Sequence, residues 1–242
     1  MKKLLSLLAI PAVLLTACSN EGDVFGPNVR GTGPTESEVR TLNSFSRLNL
    51  KIDAEVFVTQ GSPQQVRVEA QRNILNVIET ELSNNRLEIE YGRYNVRSHD
   101  PIRIYVTLPN ITELEVSGSG KISSTAPLTA TNCRVDVSGS GEANLNFAQA
   151  DALQTNVAGS GEVRLSGNAP SHNINISGSG RVSTYDLSTL DTYVSISGSG
   201  RSYVRAARAL NVDISGSGSV YYKGNPTISS RVTGSGRVQA DN

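Results

Sequence analysis

Apolar and polar residues alternate along residues 45–108. The alternation is clearest in five segments: RLNLKI (47–52), EVFVTQ (55–60), QVRVEA (65–70), RLEIEY (86–91) and IRIYVTL (102–108). A period of two is typical of a β-strand with one buried face. Turn-forming residues such as Asn84 and Asn85 separate the segments. Residues 43–110 are therefore predicted to form an antiparallel or mixed β section.

A Gly-Ser-Gly motif then recurs seven times, with first glycines at 118, 139, 159, 178, 198, 216 and 234. The intervals are 21, 20, 19, 20, 18 and 18 residues. The residue two positions before each first glycine is always Val or Ile. The residue three positions before it is always polar, and the residue four positions before it is apolar in five of seven copies. Thr155 and Ser230 are the two exceptions. Each repeat thus contributes residues to the same inward-facing apolar columns.

Even spacing near 20 residues predicts a parallel β-solenoid, in which each repeat is one coil stacked on the last. Equivalent residues of successive coils then lie about 4.8 Å apart and form ladders. We predict an all-β fold in which residues 111–242 form about seven coils of 18–21 residues. Residues 43–242 are expected to make one continuous domain.

The paired glycines of the motif are predicted to be structural, in one of two ways. In a straight strand they would remove side chains from an interior strip and let another backbone approach closely. In a corner, each would adopt a positive φ that other residues avoid. The glycines concerned are Gly118, Gly120, Gly139, Gly141, Gly159, Gly161, Gly178, Gly180, Gly198, Gly200, Gly216, Gly218, Gly234 and Gly236.

The N-terminus has the features of a bacterial lipoprotein signal. Two lysines precede an apolar stretch, Leu4 to Leu15, which is too short to span a bilayer but suits a signal-peptide core. The ending Leu-Thr-Ala-Cys resembles a lipobox, which predicts a signal peptide over 1–17 and lipidation of Cys18. Ser19 after this cysteine favours the outer membrane. Residues 18–42, rich in Gly and Pro, are predicted to be a flexible tether.

Composition narrows the possible partners. The formal net charge is zero, from 22 basic and 22 acidic residues, so nothing indicates a nucleic-acid partner. Cys133 is the second of two cysteines. With Cys18 lipidated, no internal disulfide remains, and Cys133 is interpreted as a small buried residue.

The Gly-Ser-Gly motifs and the residues that follow them do not match a cofactor-binding or metal-binding motif. Strand-like residues follow each Gly-Ser-Gly, which argues against a phosphate-binding loop. Four of the seven residues after the motifs are cations, which a calcium ladder cannot use. These residues are Lys121, Glu142, Glu162, Arg181, Arg201, Ser219 and Arg237. Stacked coils would place Lys121 against Glu142 and Glu162 against Arg181. We predict no cofactor and no metal.

Two groups of side chains remain as candidates for chemistry. Stacking of the coils would bring carboxylates together, as in solenoid enzymes that act on polysaccharides, although no catalytic signature links them. These acids are Asp136, Asp151, Asp186, Asp191 and Asp213, and both histidines, His99 and His172, are predicted to lie in loops. Tyrosines concentrate in the later coils and suit contacts with glycans or proteins. They are Tyr185, Tyr193, Tyr203, Tyr221 and Tyr222, for which capping or corner filling is the alternative.

The lipobox, the stretches EVFVTQGSPQQVRVEA and IRIYVTLPNITELEVSGSG, and the Gly-Ser-Gly ladder together resemble the putative auto-transporter adhesin, head GIN domain family. The resemblance covers about residues 45–238. It implies a right-handed β-solenoid at the cell envelope, of a kind common among Bacteroidota lipoproteins. Nothing after residue 238 resembles the membrane barrel of an autotransporter, so lipid would replace the barrel as anchor.

These observations favour a non-enzymatic, lipid-anchored outer-membrane module that binds a glycan or protein or acts as a scaffold. One alternative is an envelope enzyme acting on polysaccharide, which needs at least two carboxylates within reach of one site. A structural or sensing accessory of an envelope complex is the other. The oligomeric state and the leaflet stay open at this point.

Overall fold

The computed structural model describes residues 26–241, so the predicted signal peptide and Cys18 lie outside the described residues. The described chain is almost entirely β-strand, with one short helix, α1 (Arg72–Leu75). The strands are β1 (Asn28–Arg30), β2 (Thr35–Arg40), β3 (Arg47–Leu50), β4 (Glu55–Gln60), β5 (Gln65–Gln71), β6 (Ile78–Ser83), β7 (Arg86–Tyr91), β8 (Asn95–Ser98), β9 (Arg103–Leu108), β10 (Glu113–Val116), β11 (Lys121–Ser124), β12 (Leu128–Gly139), β13 (Glu142–Gly159), β14 (Glu162–Asn168), β15 (Ser171–Gly178), β16 (Arg181–Gly198), β17 (Arg201–Gly216), β18 (Ser219–Lys223), β19 (Thr227–Gly234) and β20 (Arg237–Ala240).

Parallel pairing stacks the coils into a β-solenoid, as the repeat predicts, with about six turns where about seven coils were expected. We call sheet 1 the ladder formed by β7, β3, β10, the C-terminal halves of β12 and β13, β15, the C-terminal halves of β16 and β17, and β19. Sheet 2 is the ladder formed by β9, β4, β11, the start of β13, β14, the starts of β16 and β17, β18 and β20. The seven motifs have six intervals between them, and each interval corresponds to one turn.

The predicted apolar columns form the core between the sheets. The Val and Ile residues that precede each motif lie in one register, from Val116 through Val137 and Val157 onward. Those of the first six copies are at most 2% exposed. β-Branched side chains on one face of a pleated strand pack well against their neighbours one coil away, so the repeat generates its own core.

Each Gly-Ser-Gly forms a corner between sheet 1 and sheet 2, which decides between the two interpretations of the glycines. From the second motif onward the first glycine has φ between +111° and +123°. The second glycine faces the interior: a Cβ on Gly161 would lie 2.4 Å from Val137 Cγ1 and 2.8 Å from the carbonyl oxygen of Gly141. One glycine therefore provides the backbone bend, and the other provides space for the neighbouring coil.

The N-terminal β section belongs to the same two sheets. β3 pairs with β10 and β4 pairs with β11, each in parallel, while β7 and β9 lie on the far side of β3 and β4. Antiparallel strands β2 and β5 extend this end beyond β9, and β6 extends it beyond β7. At the opposite end every residue of β19 is exposed, including Ile228 and Val232. The two ends of the solenoid are therefore finished differently.

Part of the segment predicted to be a flexible tether forms strands, β1 and β2, which corrects that interpretation for residues 28–40. β1 pairs with β8, and β2 forms an antiparallel pair with β5 along its whole length. The side chain of Arg40 also donates hydrogen bonds to the carbonyl oxygens of Ile78 and Leu75, at 3.1 and 3.0 Å. A polar segment can join a sheet edge through its backbone, so low hydrophobicity alone did not reveal these strands.

Candidate functional site

Three of the five candidate tyrosines come together on the outer face of sheet 2. Tyr203 and Tyr221 occupy equivalent positions on adjacent strands. Their rings stack with centroids 5.1 Å apart and planes 12° apart, and Tyr185 meets Tyr203 edge-on at 5.6 Å. Tyr193 lies on the outer face of sheet 1, 41% exposed, and Tyr222 packs against the core. We call Tyr185, Tyr203 and Tyr221 the tyrosine ladder.

Polar groups hold Tyr185, at one end of the tyrosine ladder, in place. The hydroxyl of Tyr185 donates a 2.7 Å hydrogen bond to Oδ2 of Asp241, and Lys223 Nζ lies 4.8 Å from the Tyr185 ring centroid. Partial burial and the adjacent Asp241 carboxylate both raise the pKa of Tyr185, so this phenol stays protonated and remains a donor.

A second aromatic cluster lies on the same outer column of sheet 2. Phe57 and Tyr105 stack with centroids 5.2 Å apart, and the guanidinium of Arg67 sits 4.0 Å from the Tyr105 ring centroid. Five strand steps separate Phe57 from Tyr203, about 24 Å at the usual strand spacing. We had not singled out these residues, although the alternation in EVFVTQ and IRIYVTL already places Phe57 and Tyr105 on the outward face.

Charged residues form a neighbouring column on sheet 2, as coil stacking predicts. Lys121 pairs with Glu142 at 3.3 Å. Glu162 stands beside Arg181 in register, but its ion pair is with Arg164 at 2.8 Å. This side of the column is thus a partly exposed ion-pair network, which contributes little to stability.

The candidate carboxylates do not converge on one site. Asp136 and Asp213 share a column of sheet 1 but are four strand steps apart, about 19 Å, whereas glycosidase pairs require about 5–10 Å. Asp191 is engaged by Arg208, whose Nε donates a 2.8 Å hydrogen bond to it. Asp151 and Asp186 have no ion pair among the described residues and occupy other sides of the coils.

One carboxylate pair that the sequence did not single out is close. Glu115 lies directly beside Asp136 on the outer face of sheet 1. Burial raises the pKa of Asp136, the hydrogen bond from Asn156 and the charge of Arg134 lower it, and Glu115 and Glu113 raise it again. Glu115 is itself held by Arg86 at 3.2 Å and by the Ser117 hydroxyl at 2.9 Å. Both carboxylates are thus committed to neighbours within the sheet.

His172 is a core residue on β15, which corrects its predicted loop position. It is 1% exposed, and its Nε2 is 2.9 Å from the Thr155 hydroxyl. Thr155 is one of the two exceptions in the apolar columns, and this hydrogen bond explains why a polar residue is accepted there. Burial lowers the pKa of His172 to about 3, so the ring is neutral in the folded protein at physiological pH.

Neither Cys133 nor any cluster of metal-binding side chains among the described residues forms a reactive site. Cys133 is 3% exposed, as predicted, and burial raises the pKa of its thiol to about 12. Within residues 26–241 no group of three or more His, Cys, Asp or Glu side chains is placed to hold a metal ion. The same part of the chain contains no helix long and apolar enough to cross a membrane.

A cleft of about 910 Å³ opens where the N-terminal section meets the first coils. It is lined by Phe45, Gln60, Asn110, Thr129 and Asp151, among others. The Gln60 amide already donates to the carbonyl oxygens of Pro109 and Thr129, at 3.0 and 2.9 Å, and accepts from the Thr129 amide at 2.7 Å. These hydrogen bonds tie loops together, so Gln60 is not free to bind a ligand.

Comparison with known proteins identifies the fold and the family. Residues 44–226 match the family model described as putative auto-transporter adhesin, head GIN domain. A putative adhesin from Bacteroides fragilis is 20% identical with a TM-score of 0.81, over 88% of this chain and 100% of that one. A putative lipid binding protein from Parabacteroides distasonis is 23% identical with a TM-score of 0.75, over 89% and 100%.

A putative adhesin from Parabacteroides distasonis is also similar, with 20% identity and a TM-score of 0.71, over 88% of this chain and 100% of that one. No curated protein matches the chain significantly. At such identities the solved structures show a shared fold, while the family model spans most of the sequence. The chain therefore belongs to the putative auto-transporter adhesin, head GIN domain family.

Proposed function

We propose that this protein is a non-enzymatic, adhesin-like binding module of the cell envelope that uses the outer face of sheet 2 to bind a glycan or protein. The observation that carries the proposal is the tyrosine ladder. Tyrosine combines an apolar body with a polar tip, and it is enriched where one surface recognises another. The family's adhesin-type description supports the same function and a location at the cell envelope or surface.

The geometry of the carboxylates and of the core supports binding rather than catalysis. Asp136 and Asp213 are too far apart to act on one glycosidic bond, and Glu115 is engaged by Arg86. Side chains from both sheets fill the interior between the coils. The exposed β-faces are therefore the surfaces best suited to contact a ligand.

Replacement of two members of the tyrosine ladder tests the binding face. Tyr203→Ala/Tyr221→Ala is expected to weaken binding by about tenfold or more, because truncation of a tyrosine that anchors an interface costs about 2 kcal/mol or more. Binding of the full chain to a glycan array and to immobilised extracellular-matrix proteins is the measurement. Tyr193→Ala is the matched control, since Tyr193 is an exposed tyrosine on sheet 1. Equal losses in both variants, or no binding by the wild type, would contradict the proposal.

The proposal includes a lipid anchor at Cys18 and an outer-membrane location. Cys18→Ser is expected to move the protein from the membrane fraction to the soluble fraction, because several acyl chains anchor far more firmly than ordinary surface contacts. Fractionation followed by immunoblotting of cells producing the full chain measures this shift. Cys133→Ser is the control and should stay with the membrane. An unchanged distribution of Cys18→Ser would refute the anchor.

A further inference from the structure

Five basic side chains surround the tyrosine ladder on the outer face of sheet 2. They are Arg181, Arg201, Arg205, Lys223 and Arg237. The four arginines are exposed, and Lys223 is half-buried beside the Tyr185 ring. Arg181 lies next to Arg201 in register, and Ser219 separates Arg201 from Arg237. This column thus places three guanidinium groups along about 14 Å of the sheet.

These five cations form no ion pair with carboxylates among the described residues. Within residues 26–241, none of them has a carboxylate oxygen within 4.0 Å. Near the other end of the same sheet the basic residues are paired: Arg103 with Glu55 at 3.9 Å, and Lys121 with Glu142 at 3.3 Å. In one half of sheet 2 the basic side chains therefore form ion pairs, and in the other half they do not.

The orientation of the tyrosines agrees with this charge. Tyr203 and Tyr221 cover one face of each other's ring, since their planes are 12° apart. Their ring edges and hydroxyl groups take no part in this stacking. The edge of an aromatic ring is electropositive and a phenol donates hydrogen bonds, so both favour anionic and hydroxyl-rich ligands.

We infer that the ligand of this face is an acidic glycan, whose carboxylate or sulfate groups bind Arg181, Arg201 and Arg237 while its hydroxyls contact the tyrosine ladder. Guanidinium groups bind such anions through two parallel hydrogen bonds, and repeated cations match a polymer that carries repeated anions. The inference rests on the proposed function and specifies its ligand class.

An acidic glycan fits this face better than a membrane or a nucleic acid. Membrane-surface binding needs apolar side chains that insert beside the cations. The large apolar side chains exposed among the described residues all lie away from this face: Val39, Tyr94, Leu190, Tyr193, Ile228 and Val232. Single-stranded nucleic acid needs open ring faces on which bases stack, and the stacking of Tyr203 on Tyr221 occupies one face of each ring.

Charge reversal tests the inference with defined probes. The full chain is titrated with polygalacturonate and heparin as acidic glycans, and with dextran as a neutral one. Arg201→Glu/Arg237→Glu is expected to reduce affinity for both acidic glycans by about tenfold or more. Binding by the wild type should weaken as salt rises from low to physiological concentration. Circular dichroism checks that the exposed substitutions leave the fold intact.

Arg134→Glu/Arg231→Glu is the matched control, because both residues are exposed on sheet 1 and the change in net charge is the same. It should retain the wild-type affinity. An equal loss in this control, or binding only to phosphatidylglycerol vesicles or single-stranded DNA, would overturn the inference. Equal affinity for dextran and polygalacturonate would overturn it while leaving the proposed function standing, whereas no glycan or protein binding at all would overturn both.

Discussion

Acidification from pH 7 to pH 4 is expected to lower the free energy of unfolding by about 3 kcal/mol through His172 alone. Burial depresses the pKa of this residue to about 3 in the folded protein, against an ordinary value of 6.5. Below pH 6.5 His172 binds a proton in the unfolded chain, whereas in the folded chain it does so only near pH 3. The stabilisation is therefore complete above pH 6.5, decreases as the pH falls, and levels off below about pH 3.

Denaturant unfolding at pH 7 and pH 4 measures this contribution by comparing the wild type with Thr155→Val/His172→Leu. The double variant removes the proton site and leaves no hydroxyl without a partner. Leucine also fits the column, because Leu153 is the neighbour of His172 and Leu210 lies two coils on. The double variant should lose about 3 kcal/mol less than the wild type between the two pH values. Parallel losses in the two proteins would show that His172 does not titrate as described.

Gly161→Ala is expected to reduce stability by about 3 kcal/mol and to lower the melting temperature by about 6–12 °C. A Cβ at this position would lie 2.4 Å from Val137 Cγ1 and 2.8 Å from the Gly141 carbonyl oxygen. Both atoms are held in adjacent ladders, so relief requires two coils to separate. Thermal unfolding followed by circular dichroism gives the comparison.

Gly61→Ala is the matched control for this substitution. Its added Cβ would meet Thr107 Cγ2 at 3.5 Å, an ordinary contact, in a turn that is not fully buried. Ser160→Ala adds a control in the corner itself, because the Ser160 side chain is exposed. Both should melt within about 2 °C of the wild type. If Gly161→Ala did so as well, the close packing at the corners would be refuted.

The solenoid could be predicted because its long-range pairing repeats a local pattern. Once Val137 and Val157 occupy the same position in successive repeats, the register follows without further information. The stacked pair in the tyrosine ladder follows the same rule, since Tyr203 and Tyr221 are one coil of 18 residues apart and lie in register. Tyr185 does not follow it, because the register partner of Tyr203 on β16 is Ser183. Tyr222 follows Tyr221 directly and therefore points to the opposite side of the strand, into the core.

Features that do not repeat could not be predicted in this way. The alternation in residues 47–60 marks two strands but does not identify their partners, and the order of layers in the N-terminal section depends on pairing between distant segments. His172 is predicted to lie in a loop, but the packing between coils places it in the core on β15. The clue was Thr155, a polar residue in an otherwise apolar column, which requires a buried partner.

The layer formed by β3 and β4 lies between the layers formed by β7 with β9 and by β10 with β11. Both neighbours are made later than the layer they enclose, so during synthesis β3 and β4 keep both edges open until β7 and β9 have been made, and one edge open until residue 124 has been added. Pairing between distant segments is slow, and open edges are prone to mispairing. The first three layers must therefore form together, whereas each later coil can add singly to the one before it.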